Sequence, residues 1–214
     1  MNRAPNFDGL ARPYRWLEFL TFGPFLQRTR THFLSQLSSC RRALVLGDGD
    51  GRFTAELLRR NSMIAVQAVD ISTAMLAVLR ESARGNANRV ITEAVDLRCW
   101  QPPRNAGYDL IATHFSLDCL TTEEVASLAR SVAPATASGT LWVVSEFAIP
   151  RTLFGRVIAA PLIALLYGAF RLLTGLRIRR LPDYAFGLRE AGWMLQAESK
   201  HLCGLLVSQL WQRT

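Results

Sequence analysis

Two rhythms of apolar and polar positions alternate along the chain. Residues 43–46 (ALVL) form a continuous apolar run, the pattern of a parallel strand buried on both faces, with Arg41 and Arg42 marking a surface edge. Gly47, Gly49 and Gly51 follow at alternate positions, and Phe53, Leu57 and Leu58 then recur at helical spacing, predicting a helix near residues 51–60. Residues 63–70 (MIAVQAVD) are rich in β-formers and end in Asp70. Residues 72–83 open on Ser72 and Thr73, either of which can cap a helix, and carry Met75, Leu76 and Leu79 on one face. A third strand is predicted over 89–96, ending in Asp96, and a fourth over 108–115, after a proline-bearing loop. Thr121 ahead of Glu123 and Glu124 starts a helix to Val132, and residues 139–147 form a fifth strand. Strict β/α alternation of this kind predicts a doubly wound, mostly parallel sheet. The chain ends on a short helix and two strand-like runs, 193–201 and 205–211, joined at Cys203-Gly204. That spacing predicts a hairpin adding an antiparallel edge strand.

Two regions break the rhythm. The N-terminal stretch is aromatic and basic, and reads as two helices broken at Gly23-Pro24. The other follows the fifth strand: residues 157–170 (VIAAPLIALLYGAF) contain no charge and are bracketed by arginines. The uncharged run is shorter than the ~20 apolar residues of a spanning helix, and Pro161 is expected to kink it. The chain is therefore read as one domain over 1–214: an N-terminal helical cap (1–39), a core (40–149), an apolar helical insert (150–184), and a terminal helix and hairpin (185–214).

Composition changes the picture in two ways. The formal charge is +8, carried almost wholly by arginine, since Lys200 is the single lysine; this permits anionic partners without fixing the chemistry. Cys40, Cys99, Cys119 and Cys203 are scattered without a CxxC, which argues against a zinc site or disulfide framework. With no apolar core of signal-peptide length at the start, a cytoplasmic protein with reduced thiols is expected.

The segment DGDGRF at 48–53 resembles a calcium loop, but ligand positions exclude it. With Gly51 at position 6, Leu46 and Leu57 fall where the first ligand and the bidentate carboxylate belong. A strand, glycine turn and helix remain, a unit that brings backbone N–H groups to an anionic or polar ligand. Asp70 lies roughly 20 residues downstream, where a ribose-binding acid is expected, and Asp96 ends the third strand. All three features sit at carboxyl ends of strands, where open α/β sheets bind ligands. Taken alone, Asp70 is equally a helix cap.

The blocks LVLGDGDG, VDISTAML, AVDL, YDLIATHFSLDCL and SGTLWVVSEF together resemble the class I S-adenosylmethionine-dependent methyltransferases over about residues 41–147 and the terminal hairpin. The resemblance implies a Rossmann-like sheet of seven strands with the last antiparallel, and S-adenosylmethionine as cofactor. It also implies that the methionine part passes over Gly47, Asp48 and Gly49. Asp70 holds the ribose, Ile71 meets the adenine, and Asp96 and Leu97 border it, with His114 and Phe115 near the sulfonium. Val45 stands where the family usually has an acid, with Asp48 as a substitute source of negative charge. The G-x-G-x-G spacing departs from the G-x-G-x-x-G of nicotinamide folds.

For methyl transfer, alignment and exclusion of water matter most, and a hydroxyl acceptor gains from a general base. His114 and then Asp118 are the candidates, a strand-end structural histidine being the alternative for the first. Tyr14 is a candidate contact for the cofactor carboxylate or an aromatic packing anchor. The arginine-flanked apolar insert suits an anionic membrane surface, a greasy lid or a homodimer interface. The expected function is methylation of a small lipophilic acceptor: a quinone, isoprenoid, aromatic or lipid-like molecule, by an enzyme peripheral at the inner membrane face. Two rivals stand beside it. A nucleic-acid methyltransferase would account for the charge, but no Asn/Asp-Pro-Pro-aromatic tetrad, Pro-Cys nucleophile or recognition module is visible. A non-catalytic subunit that keeps the fold would account for Val45.

Overall fold

The computed structural model describes residues 22–175, 178 and 180–214. Tyr14 and the first expected N-terminal helix lie outside these residues. The central sheet has seven strands in the order β3-β2-β1-β4-β5-β7-β6. They are β1 (Arg42–Leu46), β2 (Ala65–Asp70), β3 (Val90–Ala94), β4 (Tyr108–His114), β5 (Thr136–Phe147), β6 (Trp193–His201) and β7 (Leu206–Arg213).

After Arg42, β1 is apolar without interruption because both of its faces are covered. Ala43 and Val45 face a core formed with α2 (Arg52–Arg60) and α3 (Thr73–Ser82), through Phe53, Leu57, Leu76 and Leu79. Leu44 and Leu46 face the opposite core, with α4 (Thr122–Val132) and Trp142. Parallel pairing of β1 with both β2 and β4 puts the reversal of strand order at the carboxyl end of β1, where a crevice opens. Both foreseen caps form. Ser72 Oγ accepts from Met75 N at 3.1 Å. Thr121 and Glu124 form a reciprocal capping box.

Two expectations need correction. The antiparallel strand is not at the edge: β7 lies between β5 and β6, antiparallel to both, and β6 forms the edge. Burial explains the order, since the apolar LVSQLW of β7 is buried throughout whereas β6 is mostly exposed. The insert is also longer than its uncharged run suggests. A π-helical turn, Gly155–Ala159, leads directly into α5 (Ala160–Thr174), giving a 20-residue helix with an 18-residue stretch of mean hydropathy 1.9, long and apolar enough to cross a membrane. Pro161 does not interrupt it. It sits at the start of α5, where the widened turn absorbs its missing N–H.

A third apolar cluster covers the carboxyl edge of the sheet. Phe22 and Leu26 of the N-terminal segment and α1 (Phe25–Thr31) meet Ala159, Ile163 and Tyr167 of the insert there. A last helix, α6 (Tyr184–Glu190), returns the chain to β6.

Candidate functional site

The turn after β1 is held by backbone geometry that only glycine tolerates. Gly47 N donates to Val69 O at 2.8 Å. Its φ is +69°, and a Cβ there would lie 2.6 Å from the Cβ of Ser116. Gly51 caps α2 at φ +76°, where a Cβ would stand 2.8 Å from the Cα of Leu79. Asp48 turns inward: its Oδ2 accepts from Thr54 N at 2.8 Å, capping α2, and its Oδ1 is buried without a partner. Burial raises the Asp48 carboxyl, against the lowering influence of the Thr54 bonds and the charge of Arg30. Asp70 closes the other side of the turn. Its Oδ2 accepts from Gly49 N at 3.2 Å and its Oδ1 from Ser72 N at 2.9 Å. The Asp70 carboxylate also lines the cavity, an acceptor of the kind that ribose hydroxyls require.

Asp96 follows β3 and pairs with Arg98 Nε and Nη2 at 2.6–3.0 Å. Burial alone would raise the Asp96 carboxyl, but Arg98 outweighs it and holds the group below its ordinary value.

At the end of β4, His114 stands in a three-member chain. Its Nδ1 is 2.9 Å from Ser145 Oγ, and that hydroxyl donates to Thr29 O of α1 at 3.2 Å. With the serine proton committed to Thr29, Nδ1 is the donor to Ser145, and Nε2 carries the free lone pair. Nε2 is buried without a partner among the described residues. The ring lies 4.1 Å from that of Phe53. Burial, and then the charge of Arg30, push the imidazole well below its usual pKa, so it is neutral at physiological pH.

Past His114 the chain turns sharply, with Phe115 in the left-handed region at φ +55°. Its ring packs 5.1 Å from Phe147, and the Arg30 guanidinium sits 5.0 Å over its face. Glu146 holds this turn from beneath: its Oε1 accepts from Ser116 N at 3.1 Å and Leu117 N at 2.9 Å. Its Oε2 is buried and unpartnered. Asp118 follows, accepting from the Tyr167 hydroxyl of α5 at 2.9 Å and from Cys119 Sγ at 3.5 Å. Burial raises both acids, and for Glu146 the charge of Asp118 adds to it.

The sequence-identified residues Gly47, Asp48, Gly49, Asp70, Ile71, Asp96, Leu97, His114, Phe115 and Asp118 all line one cavity. Tyr14 lies outside the described residues. Arg30, Arg98 and Tyr167 line the same cavity and were not anticipated. Glu146, beneath its floor, carries the signal that exposed Asp70 and Asp96, an acid closing an apolar strand. The signal of Tyr167 is weaker, one hydroxyl inside an uncharged run.

The sheet order, the antiparallel β7 and a glycine turn clamped by a β2-end carboxylate define a Rossmann-like methyltransferase fold. Residues 43–139 match the family described as methyltransferase domain. With that match and this fold, residues 43–139 form a domain of the class I methyltransferase kind, whose cofactor is S-adenosylmethionine. No curated protein matches the sequence. Solved structures match it at the level of fold. An O-methyltransferase family protein from Burkholderia thailandensis is 15% identical with a TM-score of 0.71, over 95% of this chain and 59% of that one. The mitomycin 7-O-methyltransferase MmcR is 15% identical with a TM-score of 0.73, over 98% and 61%. The [4+2]-cyclase SpnF is 16% identical with a TM-score of 0.64, over 86% and 80%. The chain thus spans about three fifths of the length of the first two. The cavity fits the cofactor: the Gly47 cradle has no room for a Cβ, the Asp70 carboxylate lines it as an acceptor, and two buried polar atoms, Asp48 Oδ1 and His114 Nε2, have no partner among the described residues.

Proposed function

We propose that this chain is an enzyme that methylates a hydroxyl or amine of a small lipophilic molecule. The observation that carries the reading is the continuity of one cavity. Its polar end is Gly47, Gly49 and Asp70, and its other end is walled by Leu120, Phe147, Leu166 and Phe170, with Asp118 among them. S-adenosylmethionine supplies the activated methyl group, so the protein's task is to bind, align and exclude water.

Asp70 accepts from the ribose hydroxyls, and the loop at 47–49 lets its backbone approach the methionine portion. Asp96 borders the adenine, already oriented by Arg98. His114 stands between the two ends. Held as the Nδ1–H form by Ser145, it offers Nε2 to the acceptor's proton as the new bond to carbon forms. S-adenosylmethionine, when held there, would supply the methyl carbon and retain the electron pair of its sulfur–carbon bond. Asp118, anchored by Tyr167, orients a donor group of the acceptor. The apolar wall and the relationship in fold to an enzyme acting on mitomycin support a small organic acceptor over a nucleic acid.

The reading is tested by incubating the protein with methyl-labelled S-adenosylmethionine and a panel of phenols, quinols and polyisoprenoid alcohols. Label is expected in the organic phase. It should fall by roughly 10–100-fold in Asp70→Ala, as loss of charged hydrogen bonds implies. Label confined to added RNA or DNA, or no transfer despite measured cofactor binding, overturns it.

A further inference from the structure

The helix of the insert is two-faced, and only one face belongs to the fold. Ala159, Ile163, Tyr167 and Thr174 are buried against the protein, and Leu166 and Phe170 line the cavity. On the opposite side Val157, Ile158, Leu165, Leu172 and Leu173 stand in solvent, Leu165 at 71% and Leu172 at 90% exposure. The positions between them, Pro161, Ala164, Gly168 and Ala169, are exposed and uncharged as well. This is a contiguous apolar stripe along about 25 Å of helix, at ~1.5 Å per residue, and not a scatter of single side chains.

Charge selects what covers it. Residues 148–182 contain six arginines and no aspartate or glutamate. Arg151 and Arg156 precede the stripe, Arg171 borders its last turn, Arg180 follows it, and all four are exposed. A second copy of this chain packed stripe to stripe would bring arginines together with no carboxylate from either insert to pair them. An anionic bilayer supplies both needs at once, apolar depth for the stripe and phosphates for its ends. The helix meets the length of a spanning segment, but its middle is tied to the protein through Tyr167 and Asp118. Standing across a bilayer, it would carry Asp118, His114 and Asp70 into hydrocarbon. Lying in the surface plane, it keeps them in the protein.

We infer that the outer face of residues 155–174 docks in plane on an anionic membrane surface such as the cytoplasmic leaflet, making the protein peripheral. The inner face then separates the bilayer from the apolar end of the cavity. Docking rests on the insert alone; delivery of a lipophilic acceptor through it rests on the proposed function, so the test is run without cofactor or acceptor.

The full chain is floated with phosphatidylcholine vesicles, with and without about 30% phosphatidylglycerol, at low and high salt. Strong flotation is expected on the anionic vesicles, weakening as salt screens the arginines. Arg156→Gln with Arg171→Gln should weaken it by at least roughly tenfold, on the order of fivefold for each charge. Leu165→Glu with Leu172→Glu, both solvent-facing and so neutral to folding, should abolish it, whereas Ile91→Glu at an exposed site on β3 should not. No flotation at low salt, or equal flotation of the double-glutamate variant, overturns the inference. So does a dimer that this variant splits, by light scattering, in protein that ignores vesicles.

Discussion

Acids at strand ends are the residues on which this site turns, and they differ in what holds them. Asp70 and Asp96 are each satisfied by N–H groups or a guanidinium. Glu146 is satisfied on one oxygen only, and burial with the neighbouring Asp118 charge raises its pKa well above the ordinary value. The sign of the consequence follows from proton counts. Below the ordinary glutamate range both the folded and unfolded chains hold this proton, and the contribution of Glu146 to stability is fully present. As pH rises toward the folded value, the unfolded chain releases the proton first, so stability is lost. Glu146→Gln mimics the protonated side chain and keeps the acceptor for Ser116 and Leu117. Its melting temperature should therefore gain on the wild type between pH 5 and pH 8, by at least the ~2–4 °C that about 1 kcal/mol produces in a chain of this size. A pH-independent difference in differential scanning calorimetry would show that Glu146 is ionised in the fold throughout. At this scale the sequence is a good guide to acids closing apolar strands. It is silent on Arg30, whose closeness to Asp48, His114 and Phe115 comes from how α1 lies across the sheet.

Elements of the sheet are legible because burial on both faces writes itself as an apolar run, unbroken over Ala43–Leu46 of β1 and interrupted by Gln67 within β2 and Asp109 near the start of β4. The order of the last two strands is not, since a hairpin reads alike whichever of its strands pairs inward, and greater burial of β7 decides it. The insert is hard to read for a different reason. Its uncharged run ends at Arg156 and Arg171, yet a helix continues through charges that reach solvent at its ends. A polar contact that joins this helix to the core is the Tyr167 hydroxyl to Asp118 at 2.9 Å, beside an apolar cluster. Tyr167→Phe keeps the ring and removes the hydroxyl. It should cost about 0.5–1.5 kcal/mol of stability, the net worth of a hydrogen bond. If the insert walls the acceptor end, the acceptor KM should rise several-fold. Binding of S-adenosylhomocysteine, measured by calorimetry, should change by less than about twofold, because the altered contact is at the other end of the cavity. Equal losses in both would place Tyr167 in support of the whole pocket.

For the whole molecule, the cavity lies where the sheet reverses direction, so a bound cofactor touches loops from both halves: 47–49 and 70–71 on one side, 96–98 on the next strand, 114–116 across the switch. A ligand that spans the switch binds the folded chain and not the unfolded one, and its stabilisation follows mass action. At a hundredfold excess over Kd, S-adenosylhomocysteine should add about 2.7 kcal/mol, raising the melting temperature by roughly 5–10 °C for a chain of 214 residues. Asp70→Asn retains a hydrogen-bond acceptor but loses the charge and half its capacity, and should weaken binding about tenfold or more. At the same ligand concentration its stabilisation then falls to about 1.4 kcal/mol or less. NAD at that concentration should leave both proteins unmoved, since the glycine spacing departs from that of a dinucleotide turn. The comparison separates two roles that Asp70 combines. As the clamp on Gly49 and Ser72 it contributes to the melting temperature without ligand, and as the ribose acceptor it contributes only to the shift. An Asp70→Asn protein that melts lower but shifts as far as the wild type would show that Asp70 only clamps the loop, and that the ribose is held elsewhere.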